Sequence, residues 1–165
     1  KEQCLFYVHD ALGKIIFLGR GKNMKQEVNK LFLKNTKRAL KIQDRTADVT
    51  FKKTGNELFT RLKYNLELEV LSPKFNIKKE KKITLQPFNN EDFLIIEKGR
   101  EIEEKAIVLI EKNEVISMGY TNLAYQENKL EVLKSVLTNI TNSALAKTIV
   151  KNYLTKSKHH KIVRL

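Results

Sequence analysis

The sequence predicts an α+β chain in two parts: a small antiparallel sheet flanked by helices, then a second α+β segment with a three-stranded antiparallel sheet and two helices. Three observations predict it. "CLFYVHD" and "KIIFLG" are short apolar runs rich in β-branched and aromatic residues, separated by a turn at Gly13. "NMKQEVNKLFLK" and "ELFTRLKYNLELEVL" carry apolar residues at helical spacing. After the lysine-rich stretch "NIKKEKK" at residues 76–82, short apolar runs begin again.

In chain order, the first two runs form a β-hairpin. Beyond Gly19 and Gly21, Asn23 is placed to cap a helix with Met24, Val28, Leu31 and Phe32 on one face. "TKRALKIQDRT" reads as a basic helix, and "ADVTFKKT" alternates as a half-buried strand does. Gly55 and Asn56 open a helix in which Leu58, Leu62 and Leu66 recur on one face, and Ser72-Pro73 ends it. The run carrying Lys78, Lys79, Lys81 and Lys82 reads as a linker or mobile loop, either solvated or touching phosphate. "DFLIIEKG", "KAIVLIEKN" and "EVISMGYTNL" are three strands, the last two turning at Lys112-Asn113. Two helices follow, one with Leu130, Leu133 and Leu137, the other capped by Ser143 with Ala144, Ile149, Val150 and Tyr153 facing inward; "KIVRL" is a last strand or a tail. The expected organisation is a first domain at 1–77, a basic linker at 78–84 and a C-terminal α+β extension at 85–165.

The charge is as uneven as the pattern. The chain of 165 residues has a formal net charge of +13. Residues 1–82 hold 20 Lys+Arg against 9 Asp+Glu, a net of +11, and the remainder only +2. A field concentrated in one half points to a phosphate-facing surface more than to general solubility. The single cysteine, Cys4, excludes an internal disulfide and suits a reducing, cytoplasmic compartment. No apolar run is long enough to span a bilayer, so no membrane partner is expected. The chain starts without Met, which suggests a piece of a longer protein.

Residues 4–76 also resemble a known family. The hairpin "CLFYVHDALGKIIFLGRGKN", the strand and turn "ADVTFKKTGNEL" and the ending "LSPKFN" are similar, in order and spacing, to the GIY-YIG nuclease domain at the N-terminus of the C component of excinuclease ABC. The glycines Gly13, Gly19 and Gly55, with Pro73 and Asn76, stand where that domain keeps its scaffold residues. "FLIIEKGREIEEKAIVLIEKNEVISMGY" looks like the segment after such a domain in bacterial proteins that fuse it to a polymerase III epsilon-type exonuclease. The resemblance therefore implies a GIY-YIG-like fold and, upstream in the same protein, an exonuclease domain as a partner.

It also implies where the chemistry would sit. The family uses two tyrosines to assist proton removal from water, an arginine to steady the phosphate, and a glutamate to hold one divalent metal. Those positions fall here on Phe6, Phe17, Glu27 and Tyr64. A phenylalanine has no proton to pass, a carboxylate repels phosphate, and a neutral tyrosine is a poor ligand for Mg²⁺. Hydrolysis by the family's route is not expected, no catalytic or metal residue is assigned, and Mg²⁺ would be a cofactor only if that activity survived. Glu57 and Glu67, near Tyr64 on its helix, are the carboxylates that could substitute.

A binding surface could remain without the chemistry. Arg20, Lys22, Lys25, Lys30, Lys34, Lys37, Arg38 and Lys41 cluster at the strand end and on the following helices, and are the expected contacts to the DNA backbone. Otherwise Lys30 and Lys34 are the wet face of an amphipathic helix. His9 reads as a hairpin residue, His159 and His160 as tail residues without ligand spacing, Cys4 as a small buried residue, and "GREIEEK" as solvated surface. The function expected is a catalytically inactive nucleic-acid-binding module of a bacterial DNA repair or replication nuclease. The alternatives are a protein-docking module, or a metal-dependent endonuclease with unconventional residues.

Overall fold

The computed structural model describes residues 2–77, 87–88, 92–122, 130–156 and 161–165, and the chain divides into two compact units, Lys1–Glu80 and Lys81–Leu165. Residues 78–84, expected as a basic linker, and His159 and His160 lie outside the described residues.

The first unit is built on β1 (Cys4–His9), β2 (Ile15–Gly21) and β3 (Asp48–Lys53), antiparallel in the order β2-β1-β3. Asp10 makes the hairpin turn, its carboxylate accepting from the amides of Leu12 and Lys14 at 3.0 and 2.9 Å, and Gly13 supplies the left-handed residue at φ 75°. Helix α1 (Met24–Phe32) starts at Asn23, whose side chain caps it, and α2 (Lys37–Arg45) starts at a Thr36 cap. Helix α3 (Glu57–Leu71) is capped by Asn56 and ends at Ser72, which takes a left-handed conformation before Pro73.

Alternation along β1 divides the core between two faces. Phe6 and Val8 pack with Ile16 and Ile42, joined by Phe17, Met24, Val28 and Leu31. On the other face Leu5, Tyr7 and Leu18 meet Tyr64 and Leu68 from α3. The helices pack chiefly on β1 and β2, so β3 departs from the half-buried alternation expected of it: most of its residues are exposed, and Phe51 is 52% exposed.

Among its described residues the second unit has five antiparallel strands where the sequence pattern predicts a sheet of three. They are β4 (Phe93–Lys98), β5 (Lys105–Glu111), β6 (Glu114–Thr121), β7 (Thr138–Asn139) and β8 (Lys161–Arg164), in the order β7-β6-β5-β4-β8. "KIVRL" is thus a strand, pairing with β4. Lys112 and Asn113 turn the β5–β6 hairpin with φ of 48° and 66°, the backbone a tight two-residue hairpin requires. Helix α4 (Leu130–Val136) lays Leu133 on Leu94, Ile96, Ile107 and Leu109. Helix α5 (Ser143–Leu154) is capped by Asn142 and not by Ser143: the Asn142 side chain accepts from the Leu145 amide at 3.1 Å, while the Ser143 hydroxyl bonds Glu114. Ala144 is only half-buried, whereas Ile149, Val150 and Tyr153 are buried as expected.

In "GREIEEK" the charges are organised. Arg100 grips the Glu104 carboxylate through two of its nitrogens and stacks over Tyr120 at 4.1 Å, and the guanidinium holds the Glu104 carboxyl below its usual range.

One close approach in the first unit is directly testable. A Cβ on Gly19 would stand 2.0 Å from Cζ of Phe6, so the ring fits only because residue 19 has no side chain. Gly19→Ala should destabilise the unit by about 1–3 kcal/mol in urea unfolding. With Phe6→Leu in the background the loss should shrink to about half or less; an equal loss in both backgrounds would assign the cost elsewhere.

Candidate nucleic-acid interface

The two phenylalanines expected at proton-handling positions are neighbours. Phe6 lies over Gly19, and its ring centroid is 6.0 Å from that of Phe17, tilted by 50°. Both belong to the apolar cluster under α1 and α2, and neither ring carries a titratable atom. Glu27, on α1, folds its side chain onto Gly21, where a Cβ would lie 2.3 Å from its Cγ, and its carboxylate pairs with Lys30 at 2.8 Å. Negative charge is thereby fixed beside the end of β2. Burial first, and the Glu27 carboxylate second, push the Cys4 thiol up from its ordinary range, so Cys4 stays a neutral thiol.

Tyr64 is on the opposite face, packed with Leu5, Tyr7 and Leu18. Its hydroxyl accepts from Asn76 Nδ2 at 3.3 Å, and Arg20 lies over its ring at 5.3 Å. The structure therefore brings Phe6, Phe17 and Glu27 to one side of the sheet and Tyr64 to the other. The two carboxylates that could stand in for a metal ligand are engaged. Glu57 is ion-paired with Arg61, and Glu67 accepts from the Tyr7 hydroxyl at 2.5 Å. Among the described residues there is no group of three or more His, Cys, Asp or Glu side chains placed to hold a metal. A phenol and two paired carboxylates do not fit a hard divalent cation.

The eight cations between Arg20 and Lys41 are all exposed or partly exposed, but they are not equivalent. Arg38 donates from Nε to the Phe75 carbonyl at 2.7 Å and stacks over Phe17 at 5.6 Å, so it ties α2 to the segment after α3. Lys30 is paired with Glu27, and Arg20 covers Tyr64. Lys22 and Lys25 flank the start of α1, and Lys34, Lys37 and Lys41 run from the end of α1 along α2. Lys78, Lys79, Lys81 and Lys82 lie outside the described residues.

Spacing alone does not single out Phe51, Lys52 and Lys53. Their signal would be an aromatic followed by two lysines on a strand, the interleaving that single-strand-binding surfaces use. Nor does it reveal Tyr7–Glu67, which are 60 residues apart. His9 is a hairpin residue as read, its ring nitrogens within hydrogen-bond reach of Thr50 Oγ1 and the Gly13 carbonyl at 2.8 and 3.2 Å.

Solved structures similar to this chain include three point mutants of the GIY-YIG N-terminal endonuclease domain of UvrC from Thermotoga maritima, described as bound to the catalytic divalent cation. The first matches at TM-score 0.44 with 17% sequence identity, covering 47% of this chain and 84% of that one. The second gives 0.44 and 16% over 47% and 84%, and the third 0.43 and 17% over 46% and 84%. No protein-family model matches, and no curated protein matches. No described helix is long and apolar enough to cross a membrane.

The Tyr7–Glu67 bond gives a pH signature. Burial and the Glu67 carboxylate raise the folded-state Tyr7 pKa above that of a free tyrosine, about 10. The bond's contribution is complete below pH about 10 and declines above it, as the unfolded chain loses its phenolic proton first. Tyr7→Phe should cost about 1–3 kcal/mol at neutral pH in chemical denaturation. The gap from wild type should narrow as pH rises beyond about 10; a constant gap would show that Tyr7 contributes only packing.

Proposed function

We propose that this chain is a nucleic-acid-binding module on a GIY-YIG-like frame that has lost the family's hydrolytic chemistry, and that it serves a bacterial DNA repair or replication nuclease. The observation that carries the reading is the solvent access of every cation from Arg20 to Lys41 along β2, α1 and α2, in the half of the chain that holds nearly all the net charge. Apolar rings at Phe6 and Phe17, a carboxylate at Glu27 and a phenol at Tyr64 support the absence of cutting. The parent protein's exonuclease domain rests on the sequence resemblance of residues 93–120.

Binding of this kind is mainly counterion release, so affinity for duplex DNA should fall steeply and linearly with salt on logarithmic axes. Replacing Lys34, Lys37 and Lys41 together by Gln should flatten that slope by roughly 2–3 and weaken binding about tenfold or more at low salt, measured by fluorescence anisotropy. Affinity indifferent to salt, or no binding at low salt, would remove the reading and leave protein docking as the better account.

A further inference from the structure

The side of the sheet that carries Phe6 also carries a recess beyond the apolar cluster of α1 and α2. Cys4, Gly21, Phe51 and Lys53 share that face, because Cys4 pairs with Gly21 and Lys53 in register, and Phe51 pairs with Phe6. Between this strand end and the first turn of α1 is a cleft of about 340 Å³. Cys4, Met24 and Phe51 give it apolar walls, and Lys22, Lys25 and Lys53 stand at its margin. Glu2, also at the margin, pairs with Lys53 at 3.2 Å, and Glu27, beside Gly21, pairs with Lys30, so each nearby carboxylate has a lysine partner.

Its chemistry is selective. A recess of this size holds a group as large as a nucleobase with its sugar. Phe51, on an edge strand and half exposed, offers a flat face at the opening, and Met24 is a soft, adaptable wall. Cys4 on the floor is a buried thiol and brings no charge that would repel a phosphodiester. An aromatic ring bordered by lysines suits a ligand that is planar and apolar in one part and anionic in the next. A base inside a duplex is stacked on both faces and cannot offer one to an aromatic side chain; an unpaired base can.

We propose that this cleft receives an unpaired nucleotide of a single strand, its base stacked on Phe51 and its flanking phosphates held by Lys22 and Lys25. The inference deepens the nucleic-acid reading above and rests on it. The chain then has two modes of contact: the lysines of α2 hold backbone of any form, and the Phe51 cleft distinguishes a frayed or unpaired strand from a closed duplex.

The test compares a fluorescein-labelled single strand of mixed sequence with a blunt duplex of two fully complementary strands by anisotropy at low salt, for wild type, Phe51→Ala and Phe51→Trp. Phe51→Ala should weaken single-strand binding about 5- to 100-fold and leave the duplex within about twofold, while Phe51→Trp retains the single strand. Wild-type binding with single-strand affinity unchanged in Phe51→Ala would overturn the cleft and spare the nucleic-acid reading. Equal loss on both probes would also overturn it, since Phe51 would then carry no strand preference. Wild type binding neither probe would remove both. Fluorescent adenosine monophosphate should bind far more weakly than the strand; equal binding would assign the cleft to a free nucleotide and overturn the strand.

Discussion

The first unit depends on a single side chain that closes the open edge of its sheet. β2 is an edge strand, and its outer backbone groups would otherwise face solvent or a foreign strand. Asn76 accepts from the Leu18 amide with Oδ1 and donates to the Leu18 carbonyl with Nδ2, both at 2.8 Å, imitating a strand partner with one carboxamide. Next to it the Phe75 amide donates to the Ile16 carbonyl at 2.9 Å. The segment after α3 is thus fastened along β2, and Arg38 on α2 is tied to the Phe75 carbonyl. Hairpin, α2 and the end of α3 are held in one arrangement by these few polar contacts.

That fastening does not depend on the side chains at positions 6, 17, 27 and 64. The groups that hold the unit together, Asn76, the Asp10 turn, the caps at Asn23 and Asn56, and the glycine beneath Phe6, are separate from the side chains that hydrolysis would need. Phenylalanine at positions 6 and 17 even favours packing, since an apolar ring needs no hydrogen-bond partner in the cluster below α1 and α2. A carboxylate at Glu27 is balanced by Lys30 one turn on. Substitutions at such positions would cost the fold little, and the cations on the outside of α1 and α2 are exposed.

Local signals in the sequence carried most of the architecture. Asn23 before an amphipathic run marks the start of α1, and Lys112-Asn113 between two apolar runs marks a hairpin, because caps and turns are decided by a few adjacent residues. What spacing does not carry is tertiary. β3 alternates in sequence, yet stays mostly wet because the helices pack on its neighbours. β7 is two residues long, too short for any period. Asn142 and Ser143 are both good caps, and only the backbone decides between them. Arg38 stands among the cations of α2, and its bond to the Phe75 carbonyl, 37 residues away, is visible only in the fold. The sequence offered the candidate site only as residue types at a given spacing; their division between two faces of the sheet, and the cleft at Phe51, required the fold.

Cutting is where the proposed function is most exposed to test. Supercoiled plasmid and a labelled single strand, incubated with the wild-type chain at low salt with Mg²⁺ or Mn²⁺ and run on denaturing gels, should stay intact at protein concentrations that bind them fully. Strand breaks that require the metal and disappear on replacing Glu57 and Glu67 by Gln would contradict it, showing that carboxylates now paired with Arg61 and Tyr7 are released to build an active site.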